Sequence, residues 1–147
     1  MKAYVTGAVS ALSMIVATSA VAEPTAEVLH YWTSGGEAKS VAVLQKEFAD
    51  KGGSWTDVPV AGGGGDAAMT ALRARVLSGN APTAVQLKGP AIQEWYEEGV
   101  LADISDVAEA NNWDAVLPAS IAGHMKCEGT WCAAPVNVHR VDWIWAN

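Results

Sequence analysis

The sequence predicts an α/β fold in which a parallel-rich sheet carries helices on its faces. Two observations lead to that class. Short apolar runs alternate with segments of helical period three times between Glu27 and Glu98, and a glycine-containing turn joins each to the next. Half of the 147 residues are apolar, enough for one domain with a real core.

The first 22 residues stand apart from that core. Lys2 precedes an uncharged, small-residue apolar run from Val5 to Ala17, and Ala20-Val21-Ala22 matches the small-x-small pattern of a secretory cleavage site. The run is short for a membrane span. Residues 1–22 therefore read as a signal peptide, with the mature chain starting at Glu23.

Glu27 to Thr33, EVLHYWT, reads as the first strand. Ser34-Gly35-Gly36-Glu37 then has the form of a capping box, and the helix behind it brings Ala38, Val41, Leu44, Gln45 and Phe48 to one side. Gly52-Gly53 ends that helix. Ser54 to Ala61 is the second strand, with Pro59 marking an edge or an early end. A four-glycine loop, Gly62 to Gly65, follows, and Asp66 is expected to cap a second helix that aligns Met69, Leu72 and Val76. Thr83 to Lys88 is the third strand, broken by Gly89-Pro90, and a short third helix starts near Pro90.

Beyond Val100 the pattern loosens. A helical turn and loop lead to Asp114, which is expected to cap a helix reaching about Met125, and one or two strands follow from Thr130. The chain stops at Asn147 inside a Trp-rich, strand-like pattern, which reads as a cut.

Ligands of parallel sheets sit at the carboxyl ends of the strands. Those ends are Tyr31-Trp32-Thr33, Ala61 to Asp66, and Gln86-Leu87-Lys88, so three unusual patches share one edge of one sheet. Trp32 offers a flat apolar face, Glu37 a carboxylate acceptor and Lys88 a donor. Those are the parts needed to stack the C–H face of a pyranose and bind its hydroxyl rim. Taken singly, each has a plainer role: Trp32 in a core, Glu37 as a capping acid, Lys88 as a solvated surface charge. Gln86 is more telling, because TAVQLK otherwise reads as a buried strand, and it shares a face with Lys88.

Composition narrows the alternatives. The 9 basic residues less Lys2 leave 8 against 16 acidic ones, with no basic cluster, so a nucleic-acid partner is not expected. Gly62, Gly64 and Ala67 fit G-x-G-x-x-A, but the next strand ends in Lys88 rather than a ribose-binding acid, and the match reads as accidental. The same loop is also suited to cradling a phosphate, or to letting the backbone pass close to a ligand. No G-x-S-x-G or H-E-x-x-H occurs, His30, His124 and His139 fall on three elements, and the adjacent Glu97-Glu98 point apart on a helix. No enzyme activity and no cofactor are expected. His139-Arg140 reads as a structural cluster.

Cys127 and Cys132 are a disulfide candidate in an exported chain. A two-residue turn at Glu128-Gly129 places Cys132 diagonally across the ladder from Cys127, roughly 7–8 Å away and at the limit of reach. A loop spanning Glu128 to Trp131 places the two opposite each other. C-x4-C has no second ligand pair, so no metal site is expected.

Four stretches carry a resemblance: WTSGGE, AGGGGD, QLKGPAIQEWYEEGVLADI and PVNVHRVDWIWAN. In order and spacing they resemble the extracellular solute-binding proteins of carbohydrate ABC transporters, family 1, and most of all the glucose/mannose-type members. The resemblance implies a two-lobed periplasmic protein that is a monomer when intact. It would bind a monosaccharide, glucose or a related hexose, between its lobes and deliver it to the permease subunits in the inner membrane. Residues 23–138 would form the N-terminal α/β lobe and 139–147 the start of the crossover to a second lobe that the chain does not contain. Trp32 would stack the sugar, Glu37 would accept from a hydroxyl and Lys88 would donate to one, with Gln86 beside it. Tyr31 stands where another Trp is frequent, and Asp66 and His139 join the set by location. Two other classes stay open: a secreted carbohydrate-active enzyme with its acids downstream, and a sugar-sensing lobe signalling to a membrane partner.

Overall fold

The computed structural model describes residues 22–137. The signal-peptide reading, His139 and the crossover 139–147 lie outside the described residues.

A three-stranded parallel sheet forms from β1 (Thr25–His30), β2 (Ser54–Pro59) and β3 (Ala84–Val85), in the order β2-β1-β3. The register runs from Thr25 opposite Ser54 to His30 opposite Pro59, and Val28 and Leu29 face Ala84 and Val85. Helix α1 (Gly35–Asp50) joins β1 to β2, and α2 (Asp66–Leu77) joins β2 to β3. The helices cover opposite faces, as strand alternation requires. Gln45 of α1 bonds Asp57, which shares a face with His30, while Arg75 of α2 holds Glu27 on the face of the fully buried Leu29. Pro59 lies on the edge strand, where a missing N–H breaks no ladder.

The sequence-predicted boundaries shift for identifiable reasons. β1 ends at His30 rather than Thr33, because Tyr31 N–H donates to the Gln86 side chain (3.0 Å) and Thr33 N–H donates back to Tyr31 C=O (3.1 Å), a tight turn out of the sheet. β3 is confined to two ladder residues, although Gln86 N–H still reaches Leu29 C=O at 2.9 Å. Ser34 has the extended backbone of an N-cap, but its hydroxyl makes no cap bond. Gly35 behind it is left-handed (φ 58°), where a capping box needs a right-handed turn. On α1, Val41 is buried, Ala38, Gln45 and Phe48 are half-buried, and Leu44 stays exposed.

Asp66 does not cap α2. A 3-10 turn at Gly63–Gly65 starts the helix early, so Gly65 is the N-cap and Asp66 lies in the first turn, where its charge favours the helix dipole. The helix expected from Asp114 to Met125 is two helices. Leu117 is extended and Pro118 lacks the N–H needed to continue, so α5 (Trp113–Val116) ends before α6 (Ala119–Met125).

The remaining elements are α3 (Ala91–Glu97), α4 (Ser105–Ala110) and an antiparallel hairpin, β4 (Lys126–Cys127) with β5 (Thr130–Trp131). The turn is the two-residue kind, with Glu128 (φ 50°) and Gly129 (φ 88°) both left-handed. Cys127 therefore faces Thr130, yet it is bonded to Cys132 at a Cα–Cα distance of 5.9 Å. The diagonal separation is overcome because the chain curls inward after Trp131: Cys132 and Ala133 N–H both donate to Met125 C=O. The disulfide packs with Ile92, Leu87 and Tyr96, while Trp131 meets Trp113 edge-on at 5.2 Å beside Ala108 and Ala122. Past Trp131 no strand continues through Asn137, so the longer strands expected there do not form among the described residues.

Candidate functional site

The strand order 2-1-3 reverses between β1 and β3, because α1 carries the chain to one side of β1 and α2 carries it back to the other. Such a reversal opens a crevice at the carboxyl ends of the strands. Three loops enter it, and specific contacts join them. Lys88 Nζ donates to Gly64 C=O at 2.6 Å and lies 5.7 Å from the centre of the Tyr31 ring. Gly65 (φ 116°) lies so close beneath Tyr31 that a Cβ there would stand 3.1 Å from the ring. Glycine is needed at that position both for the backbone angle and for the space.

Consecutive aromatics part company here. Tyr31 packs toward the glycine loop and Lys88, whereas Trp32 lines a cleft on the α1 side with His30, Thr33, Gln45, Asp57 and Ala61. That cleft has a volume of about 370 Å³. Trp32 is only 7% exposed, so what it presents is a cleft wall rather than a free surface platform. Glu37 is exposed in the first turn of α1. Burial raises the Tyr31 phenol above its ordinary value, and the Glu37 charge adds to the shift.

Gln86 is committed to the backbone of Tyr31 through its side-chain oxygen, and its amide group is what it has left to offer. Asp66 is exposed at the start of α2. The Cys127–Cys132 bridge belongs to the separate core around Ile92.

Sequence reasoning missed His30, Gln45 and Asp57. Asp57 Oδ1 accepts from His30 Nε2 (2.9 Å), Gln45 Nε2 (2.9 Å) and Trp55 Nε1 (3.1 Å). Burial works to raise this carboxyl, but the bonds from Trp55, His30 and Gln45 outweigh it, and it titrates below the ordinary aspartate range. The available signal was Gln45, a polar residue inside the apolar stripe of α1 that needed a partner on the sheet.

A sequence model of the bacterial extracellular solute-binding proteins matches residues 44–141. The chain belongs to this family. It is 52% identical over its whole length to a probable sugar-binding periplasmic protein of Rhizobium meliloti, of which it covers 36%. It is 55% identical over 82% of its length to a similarly described protein of Brucella melitensis, covering 29% of that relative. The fold matches part of an ABC substrate-binding protein of Listeria monocytogenes solved in complex with cycloalternan. The TM-score is 0.59 at 20% identity, over 74% of this chain and 27% of the other. The chain thus spans about a third of the length of the curated relatives it matches.

Proposed function

We propose that this chain forms a lobe of the periplasmic sugar-binding component of an ABC importer, taking up a hexose and delivering it to membrane permease subunits. The observation that carries the reading is the meeting of three loops at one crevice in a member of this family, where the Tyr31 ring and the Lys88 ammonium stand over the glycine loop, while Trp32 lines a second cleft on the α1 side. A pyranose needs that pairing of apolar face and directional polar groups. Trp32 supplies the wall, Lys88 and Glu37 charged partners for hydroxyls, and Tyr31 a second aromatic beside Lys88. Gln86 acts chiefly by holding the Tyr31 backbone. Asp66 and His139 stand further out in the proposal, on location alone.

The relatives' descriptions as periplasmic and the leader-like residues 1–22 support export to the periplasm. A single lobe supplies one wall of an interlobe cleft, so the isolated lobe should bind sugar weakly and the intact protein tightly. The test is calorimetric titration of the intact protein with glucose, mannose, galactose and a maltooligosaccharide. Saturable binding of a hexose is expected. Binding of the oligosaccharide alone would move the substrate class toward that of the Listeria neighbour, and no binding by any of them would remove the sugar reading.

A further inference from the structure

We propose that Asp57 is a ligand-binding residue of the α1-side cleft, its Oδ2 accepting a hydrogen bond from a sugar hydroxyl; this rests on the sugar-binding reading above. Asp57 lies on β2 and lines the cleft together with Trp32. Its side chain keeps 40% of its surface accessible, so a molecule entering the cleft can reach it. The carboxylate is used on one oxygen only. His30 Nε2 from β1, Gln45 Nε2 from α1 and Trp55 Nε1 from two residues back all donate to Oδ1, at 2.9, 2.9 and 3.1 Å. Oδ2 takes no donor among the described residues. Three donors crowd Oδ1, which leaves the accessible part of the carboxylate to Oδ2.

Burial works to raise this carboxyl, but the bonds from Trp55, His30 and Gln45 hold it below the ordinary aspartate range, so at neutral pH Oδ2 is a charged acceptor. It is also fixed before any ligand enters. Donors from two strands and a helix set the plane of the carboxylate, so little freedom is lost when a hydroxyl binds, and the bond formed is charge-assisted. Beside this acceptor stands the Trp32 wall, and the cleft volume of about 370 Å³ lies at the small end of ligand pockets, which begin at roughly 300 Å³. Among the described residues that line the cleft, Asp57 is the only carboxylate, and none is a lysine or arginine. A fixed anionic acceptor beside an indole suits a hydroxyl and the C–H face of a neutral sugar. An anion would be repelled.

The test is calorimetric titration of the intact protein and of its Asp57→Asn variant with glucose. In the variant the three donors keep the amide oxygen at the Oδ1 position, so the amide nitrogen, a donor, takes the place of Oδ2. Glucose binding should weaken about tenfold or more, the size of a lost charge-assisted bond. Trp55→Phe is the control for positioning: it removes one donor from Oδ1, leaves Oδ2 in place and should change affinity by less than about threefold. Unchanged glucose affinity in Asp57→Asn overturns the assignment and leaves the sugar reading standing. Equal losses in the two variants also overturn it and make Asp57 a positioning residue only.

A second measurement needs no substitution and decides the matter if the variant does not fold. In the intact, carbon-13-labelled protein the side-chain carboxyl resonance of Asp57 is expected to move with glucose saturation. A resonance that stays in place while calorimetry shows binding overturns the assignment. Where a maltooligosaccharide binds and glucose does not, it replaces glucose in both measurements. If neither binds, this proposal and the sugar reading fall together.

Discussion

Lys88 Nζ donates to the carbonyl of Gly64, 24 residues earlier in the chain, at 2.6 Å, and so ties the end of the third strand to the glycine loop after the second. A side chain expected to meet a ligand is thus already engaged with the backbone that frames the crevice. Ligand binding and loop position are coupled through this one ammonium group. Lys88→Met in the intact protein should weaken sugar binding by about tenfold or more while leaving the melting temperature nearly unchanged, since an exposed polar contact adds little stability. Calorimetry and thermal melts check the two halves. A large loss of melting temperature with intact affinity would make Lys88 a structural tie only.

Trp32 is buried as well as cleft-lining, so Trp32→Ala has two expected effects. The core loses about 3–5 kcal/mol, and sugar no longer raises the melting temperature. Trp32→Phe keeps more of the packing and separates them. If the sugar-induced shift survives in both variants, the wall role assigned to this residue is wrong.

Gly65→Ala forces a Cβ to within 3.1 Å of the Tyr31 ring at a backbone angle (φ 116°) that L-residues avoid. A destabilisation of roughly 1–3 kcal/mol is expected, with displacement of Tyr31. Urea unfolding measures the first and tyrosine fluorescence of a Trp-depleted background the second. Gly62→Ala is the control for strain alone, because a Cβ there meets nothing within 4 Å although φ is also positive.

The Glu27–Arg75 pair makes two parallel bonds of 2.7 Å and joins α2 to the buried side of β1. Those bonds hold the Glu27 carboxyl below its ordinary value. A lowered folded-state value means the contribution is present above the unfolded glutamate range and is lost as pH falls through the folded one. Stability should therefore decline on the acid side, and Arg75→Gln should flatten that decline. Denaturant unfolding from neutral pH down to about pH 3 follows both slopes.

The Cys127–Cys132 bridge closes a short loop with both cysteines buried. Replacing both by serine should cost about 2 kcal/mol on loop entropy alone. Sugar affinity should be little changed, because the bridge packs around Ile92 rather than at the crevice. An affinity loss far exceeding the stability loss would place the hairpin in the binding machinery.

Much of the sheet was readable along the chain. The apolar periods of β1, α1, β2 and α2, the glycines between them and Pro59 on an edge strand all follow from local chemistry. Legibility failed where a distant group competed for a backbone bond. β1 stops at His30 because Gln86, 55 residues from Tyr31, takes the next N–H, and the cysteine separation was misjudged because Met125 draws the chain inward after Trp131. Of the site, Tyr31, Lys88 and the glycine loop were legible as strand-end features, whereas the His30–Asp57–Gln45 set was not. Its members come from three elements, and each by itself reads as an ordinary strand or helix residue.

By itself the sequence determined the α/β order, the edge at which the unusual residues collect and the family resemblance, because these depend on period, turn chemistry and spacing. Only the tertiary structure decided which residues meet. It sent Tyr31 to the glycine-loop crevice and Trp32 to the cleft on the α1 side, and left His30 Nδ1 buried without a donor. The physical reason is that a side chain's partners are set by strand register and helix placement, which link positions far apart in sequence and leave no local trace in it.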